Sequence, residues 1–304
     1  MLKLSINNET SPLRTVVLGI AEDFGGIPVY EIAYDPKSKE HIRKGTFPKE
    51  EDLIKELEGF EQVLKKYGVK VLRPKRLPAY NQIYSRDIGF VIDDLFIRSH
   101  MLAPREHEIE GIENIMDQMD PDKVLETTMQ ARVEGGDVMP WDGMLFIGYS
   151  KKHDFDEYIV SRTNEAGVEF LADLFPHRTV KSFELVKSDI DPLENALHLD
   201  CCFQPIGKDQ AIIYRGGFKS PEDYHFLKEY FGESNVIDIT QEEMYNMNSN
   251  IFSINPTTIV SEKKFIRLNT ELRERGFVVE EIAFSEAAKM EGLLRCSTLP
   301  LHRE

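Results

Sequence analysis

Cysteine is scarce in this chain, with three residues in 304 and two of them adjacent at Cys201 and Cys202. So few thiols cannot knit a disulfide framework, which sets aside the small disulfide-stapled secreted classes. Long apolar runs are missing as well. No stretch approaches the ~18 apolar residues of a membrane span, and Met1–Glu9 holds no apolar core of signal-peptide length. The expectation is a cytoplasmic protein that does not engage a membrane. Positive charge is in deficit, 37 Lys and Arg against 53 Asp and Glu, for a formal net charge of −16. Nucleic-acid phosphates need Lys and Arg, so nucleic acid is not an expected partner. An acidic field instead steers cationic small molecules, although it also serves plain solubility. No Gly-x-Gly-x-x-Gly or Gly-x-x-x-x-Gly-Lys loop occurs, which leaves nucleotide binding unsupported. His-x-x-x-His and Cys-x-x-Cys spacings are absent too, and Cys201–Cys202 is too tight for zinc, so neither a metal nor a cofactor is expected.

What the chain does have is a recurring pattern in a globular composition, 41% hydrophobic and 30% charged. Ile88–Ile92, a turn at Asp93-Asp94 and Leu95–Ile97 read as a hairpin. A helix with Ile109, Ile112, Met116 and Met119 follows, then a strand near Val124-Leu125. The succession returns with Asp137–Met139 and Met144–Gly148, the Val168, Leu171, Phe175 helix, and Thr179–Val186. It returns again with Cys202–Pro205 and Ala211–Tyr214, a helix opened by Ser220-Pro221 and ended by Gly232, and Val236–Ile239. The fourth copy runs Asn250–Ile254, Thr258–Val260, a helix with Phe265, Leu268 and Leu272, and Phe277–Val279. The copies lie roughly 50 to 65 residues apart, and half-units remain at the two chain ends. At the first end lie a strand at Thr15–Ile20, a charged linker from Asp35 to Lys49, a helix at Glu50–Tyr67 and a strand at Val69–Arg73. A unit that cannot bury its own face must stack on its neighbours, so one ring-like domain over residues 1–304 explains the pattern better than two domains split near Ser150. In that ring the strand at Leu294–Leu301 pairs with the half-unit near Val16.

The polar residues fall at one end of successive units. Asp87 precedes the first hairpin, Glu134 precedes Val138, His198 and Asp200 precede Phe203, and Cys296 lies beside the last half-unit. In a ring they converge on the axis, where a pocket forms. Three inward acids repel unless a cation joins them, and a planar guanidinium pairs bidentately with carboxylates. With a thiol and an imidazole alongside, this points to attack at a guanidinium carbon. Taken one at a time, these residues have plainer readings: Asp87 as a turn residue, Gly135-Gly136 as a loop, His198 as a satisfied structural histidine. Cys201 and Cys202 read as strand packing, and Trp141 as a turn aromatic.

Five stretches together resemble the guanidino-group-modifying superfamily of arginine deiminases, dimethylarginine dimethylaminohydrolases and amidinotransferases. They are Arg86-Asp87, Glu134-Gly135-Gly136-Asp137, Phe146-Ile147-Gly148-Tyr149 with Arg162-Thr163-Asn164, His198-Leu199-Asp200, and Leu294-Arg295-Cys296-Ser297-Thr298. The resemblance runs from about Thr15 to Arg303. It implies an α/β fold, the pentein: a pseudo-fivefold propeller of strand-strand-helix-strand units. By the same resemblance Cys296 is the nucleophile, His198 the acid and base, and Glu134 the residue that orients it. Asp87 and Asp200 hold the substrate guanidinium. Arg162 takes the substrate carboxylate, with Arg105 and Arg295 as further candidates. Two positions depart from the family: Glu291 replaces a glycine, and Arg295 stands before the cysteine where relatives often carry histidine. Arg295 could also lower the thiol pKa, or lie on the surface.

The expected activity is a cysteine hydrolase of an arginine-like guanidine, leaving a ureido product such as citrulline. An amidinotransferase is the alternative, and a non-enzymatic pentein binding protein a more distant one. The expected partner is a small cationic guanidine. The oligomeric state, a homodimer included, is open at this point.

Overall fold

Five three-stranded sheets set the architecture of the computed structural model, which describes residues 1–304. One is built on the hairpin of β6 (Val138–Trp141) and β7 (Met144–Tyr149), where Trp141 pairs with Met144. Its two turn residues sit at φ 42° (Asp142) and 78° (Gly143), the handedness that lets a two-residue loop follow the strand twist. A helix at Glu165–Leu174 then crosses back to β8 (Thr179–Glu184), which lies parallel to β7.

The same order recurs. β3 (Gly89–Ile92), β4 (Leu95–Arg98) and β5 (Val124–Glu126) form one sheet. β9 (Phe203–Ile206), β10 (Gln210–Ile213) and β11 (Val236–Asp238) form another, and β12 (Phe252–Asn255), β13 (Thr258–Glu262) and β14 (Val278–Ile282) a third. The fifth sheet joins the chain ends: β1 (Leu13–Leu18) is parallel to β2 (Lys70–Leu72) and antiparallel to β15 (Thr298–Arg303). Val16 faces Pro300 and Val17 faces Leu299. This is the pentein arrangement, with the half-units at the two ends completing each other.

Between sheets the helices bury one face. Leu53, Leu57, Phe60 and Leu64 of the helix Glu50–Lys66 are all buried. Phe60 meets Phe252 and Phe284 edge-on, each with ring centroids 5.7 Å apart. Burying such a side chain contributes about 1.5–3 kcal/mol.

Four expectations need correction. The helix through Ile109 and Met119 is broken into a 3₁₀ stretch at Glu108–Ile112 and one turn at Glu113–Met116. The Gly111 carbonyl is taken by the Lys75 N–H at 2.6 Å instead of by its own helix. The linker from Asp35 contains a helix, Pro36–Arg43, whose N-cap Asp35 accepts from the Ser38 N–H at 2.6 Å. The last strand starts only at Thr298. Residues 293–297 form turns in which Ser297 N–H bonds Leu293 O and Thr298 N–H bonds Arg295 O, so Cys296 sits in a turn. Trp141, read as a turn aromatic, is the buried last residue of β6 and packs on Phe231 at 5.8 Å.

The turns preceding the inner strands meet each other. Arg295 is wholly buried and its guanidinium reaches four places at once. Nε and Nη2 bond Glu9 at 3.1 and 3.2 Å, Nη1 bonds Asp200 at 2.8 Å and the Gly136 carbonyl at 3.3 Å, and Nη2 also bonds the Val138 carbonyl at 2.8 Å. Arg86 donates to the Arg295 carbonyl, and Arg303 ties the Ser11 carbonyl to that of Ser253. Burial works against charge on Glu9, but Arg295 and Arg86 outweigh it and hold the carboxyl below its usual range. Removing one member of a buried pair strands the other. Glu9→Ala is therefore expected to lower the unfolding free energy by about 3–5 kcal/mol, and Glu9→Gln by less. Urea unfolding followed by circular dichroism checks both.

Candidate active site

His198 owes its position to a glycine and an acid. A Cβ on Gly136 would lie 2.6 Å from the imidazole Cγ and Nδ1, so only glycine lets the Glu134–Asp137 turn approach the ring. Asp137 Oδ1 accepts the Leu199 N–H at 2.9 Å and fixes the turn that carries the histidine. Glu134 then reaches His198 Nε2 at 2.9 Å, while Nδ1 faces Asp87 Oδ1 at 3.7 Å. Burial disfavours the imidazolium, but Asp87, Asp137 and Glu134 together overcome it and raise the pKa to about 9. For Glu134, burial is likewise outweighed, by Arg162 and then His198, which hold its carboxyl well below the usual range. His198 is thus a cation clamped between carboxylates.

Cys296 is held by the turn before β12. Asn250 Oδ1 accepts the Cys296 N–H at 3.1 Å, and Asn250 Nδ2 donates to Sγ at 3.1 Å. Asp200 Oδ2 lies 3.6 Å from the same sulfur. Burial, then Asp200, then Asp87 push the thiol well above its ordinary value. A second glycine permits the approach of the preceding segment, since a Cβ on Gly292 would fall 2.3 Å from the Tyr84 ring.

A cavity of about 560 Å³ opens over these groups, a size typical of small-molecule sites. Asp87, His198, Cys296, Arg105 and Arg162 line it, as do Asp35, Tyr84, Glu108 and Glu291. Phe24, Pro28, Ile32 and Tyr34 form an apolar rim. Three of the lining groups keep an unpartnered atom, Asp87 Oδ1, His198 Nδ1 and Glu291 Oε2. Asp87, Glu134 and His198 also offer ligand atoms within 4.8 Å of one another, near enough for one small divalent cation. The carboxylates of that trio already face Arg105 and Arg162.

The sequence candidates separate into three groups. Cys296, His198 and Asp87 line the cavity, and Glu134 lies behind them, bonded to His198 Nε2. Asp200 adjoins Cys296 but does not line the cavity; its Oδ2 is shared between the sulfur and Arg295. Arg105 and Arg162 reach the cavity with partners of their own. Arg105 holds both oxygens of Glu108 and Asp87 Oδ2, each at 2.8 Å. Arg162 bonds the Ile159 and Tyr34 carbonyls at 3.0 and 3.3 Å and Glu134 at 3.5 Å. Arg295 needs correction: it is neither on the surface nor free for a substrate carboxylate, because its guanidinium is consumed by Glu9, Asp200 and two carbonyls. Sequence reading missed Asn250, although it stands before β12 where the other site residues stand before their strands. It also missed that Glu291 and Asp35 face the cavity.

A sequence model of the family described as N,N dimethylarginine dimethylhydrolase, eukaryotic, matches residues 33–303. The chain belongs to this family. It is 30% identical over 244 residues to the uncharacterized protein YkgA of Bacillus subtilis (strain 168), covering 80% of this chain and 77% of that one. The fold is shared with the N-terminal domain of ArgZ, an arginine dihydrolase from the ornithine-ammonia cycle in cyanobacteria. That match has a TM-score of 0.78 and 18% identity, over 95% of this chain and 98% of the other. It is shared too with the inosamine-phosphate amidinotransferase StrB1 of Streptomyces griseus, at a TM-score of 0.75 and 16% identity over 99% and 97%. The chain spans about half the length of several arginine deiminases it matches, 47% in the case of Latilactobacillus sakei. Family and fold together place it among the guanidino-modifying penteins.

The electrostatics of Cys296 can be measured directly. With its pKa raised by burial and two acids, alkylation of the empty protein by iodoacetamide is expected to be slow at pH 7. It should climb by about tenfold per pH unit toward and beyond 9, as the thiolate fraction rises. Asp87→Asn removes one of the raising charges and is expected to speed alkylation several-fold at pH 8. A rate independent of pH between 6 and 8 would contradict a neutral thiol.

Proposed function

We propose that this protein is a cysteine-dependent hydrolase of an arginine-like guanidine, working through a covalent amidino-cysteine. The observation that carries the reading is the shared cavity: Cys296 and His198 line it with Asp87, whose Oδ1 has no partner and faces the imidazole. A guanidinium seated on Asp87 brings a positive charge toward a thiol that the acids hold neutral, and so favours the thiolate. The thiol proton passes to Asp200 Oδ2, 3.6 Å from the sulfur, and Sγ attacks the guanidinium carbon to form a C–S bond. His198, protonated at neutral pH, gives its proton to the departing nitrogen; the C–N bond breaks and ammonia or an amine leaves. The neutral imidazole then takes a proton from water, whose oxygen attacks the same carbon. Collapse breaks the C–S bond, the Cys296 thiolate recovers its proton from Asp200, and the ureido product sheds its remaining extra proton to solvent. Asn250 Nδ2, already 3.1 Å from the sulfur, stabilises the thiolate at both ends of the cycle.

In this reading Glu134 keeps His198 charged and oriented, and Arg162 and Arg105 are the cations available to a substrate carboxylate. Transfer of the amidino group to an amine in place of water is the alternative outcome for the same intermediate. Incubation with arginine and with N-methylated arginines, with and without glycine, separates them. A ureido product plus ammonia or methylamine is expected, unchanged by glycine. Formation of guanidinoacetate would assign a transferase. Cys296→Ala is expected to reduce turnover to background. Amine release should fall as pH rises through about 9, where His198 loses its proton.

A further inference from the structure

Two buried carboxylate oxygens of the cavity lack a hydrogen-bond partner, Asp87 Oδ1 and Glu291 Oε2. The guanidinium of the proposed reaction accounts for the first. Nothing yet accounts for the second. Glu291 is 4% exposed and lines the cavity with Asp35 and Cys296. Its Oε1 accepts from Asn195 Nδ2 at 2.6 Å, and Asn195 is itself buried and held through Oδ1 by the Ser188 N–H at 3.2 Å. One oxygen is therefore fixed, and no N–H or O–H of the neighbouring groups donates to the other.

No cation of the chain pairs directly with it, although the charge of Lys37 acts on it from beyond ion-pair distance. Arg105 is committed to Glu108 and Asp87, and Arg162 to Glu134 and two carbonyls. Lys37 turns its Nζ to the Tyr245 carbonyl and makes no ion pair with Glu291. Asp35 lies close enough to repel it and, once Glu291 is protonated, to share that proton in a carboxyl–carboxylate hydrogen bond; Asp35 Oδ1 also accepts the Ser38 N–H. Burial and then Asp35 raise the Glu291 carboxyl to about 8, so the empty cavity keeps a proton there in place of a counter-charge. Glu291 also holds a left-handed backbone, φ 61°, at the end of the Ala287–Met290 turn, where glycine is the low-strain choice. An ammonium matches this spot: it is compact and offers only donors, and it can replace the held proton with a fixed charge.

We propose that Glu291 recognises an ammonium group on the tail of the guanidine substrate, with Asn195 orienting its carboxylate and Asp35 adding to the field. The proposal rests on the guanidine reading of the same cavity. Glu291 is thereby a specificity residue, selecting aminated guanidines over those without the amine. The ammonium could be the α-amino group of an amino acid or the terminal amine of a decarboxylated chain.

Four compounds distinguish these sources. Arginine and 5-guanidinopentanoate differ only in the amine and both carry a carboxylate; 4-guanidinobutylamine and butylguanidine differ in the amine without one. The readout is the concentration of each that halves the alkylation rate of Cys296 by iodoacetamide, which needs no turnover. In the wild type the aminated member of at least one pair is expected to protect at lower concentration. In Glu291→Gln that advantage should shrink by about ten- to a hundredfold, the worth of a hydrogen bond to a charged group. The amine-free compounds should be unchanged. Dependence in the first pair alone assigns an α-ammonium, and dependence in the second a terminal amine. Asn195→Ala, which frees the carboxylate without removing it, is expected to lose part of the same advantage. An unmodified alkylation rate without guanidine shows that each variant is folded. If Glu291→Gln weakens all four equally or none, the proposal is overturned. If none of the four protects the wild type, the guanidine reading falls and this proposal with it.

Discussion

The Glu9–Arg295 ion pair, with Asp200 on its far side, is the contact about which this molecule is arranged. It lies where the turns before β3, β6, β9, β12 and β15 converge, and it is wholly withdrawn from water. Withdrawing each ion costs several kcal/mol, and such pairs seldom repay that with much net stability. We read the contribution of this pair as register. Arg295 bonds carbonyls of the β6 repeat and a carboxylate of the β9 repeat, and its own carbonyl receives Arg86 from the β3 repeat. A slip of any one repeat would leave a buried ion without its partner. The residue after Arg295 is the cysteine, so the contact that closes the ring also delivers the sulfur to its centre.

That delivery sets the charge problem of the site. Asp200 is close enough to accept the thiol proton, yet its negative charge, with that of Asp87, opposes forming a thiolate. Asp87, Asp137 and Glu134 raise the His198 pKa to about 9, so in the proposed reaction it enters as an acid and not as the initial base. A bound cation would favour the thiolate without discharging that acid. In the proposed hydrolysis the signs of charge then set the order: bind, attack, protonate the leaving nitrogen, and only then generate a base for water. A neutral analogue occupying the same volume would fail at the first step, since it would not relieve the repulsion at Sγ.

Much of this was readable in the residue order, and the reason is geometric. A repeat whose hairpin, helix and return strand follow one another places every inner turn at the same offset, so Asp87, Glu134, His198 and Cys296 could be brought together on paper. Asn250 has that offset too. It escaped notice because an asparagine before a strand carries no chemical signature of its own; its role exists only through the sulfur it bonds. Arg295 was misjudged for the opposite reason. An arginine beside a reactive cysteine suggests a substrate partner, and nothing local to it reveals that Glu9, at the other end of the chain, has already claimed its guanidinium. The helix at Pro36–Arg43 was hidden behind its charge, although Asp35 and Pro36 spelled a capped start.

The residues that escaped the pattern are also not scattered at random. The repeat supplies the groups assigned to the guanidinium in the proposed reaction: one turn brings Asp87, another His198 and the last Cys296, while a further turn brings Glu134 to hold the imidazole. The far side of the cavity is built from segments that the repeat does not dictate. These are the stretch between β1 and β2 with Phe24, Tyr34 and Asp35, the 3₁₀ turns carrying Arg105 and Glu108, and the turn that ends at Glu291. Ring packing constrains the first set, since moving one turn strains its neighbours through the buried arginines. The second set is tied to the axis at fewer points: Glu291 bonds Asn195 and Asp35 bonds Ser38, while Arg105 bridges Glu108 to Asp87. In the proposed reaction the head group and the tail would thus be met by different parts of the fold, joined through Arg105. A periodic reading of the chain can reach the first; only side-chain geometry reaches the second.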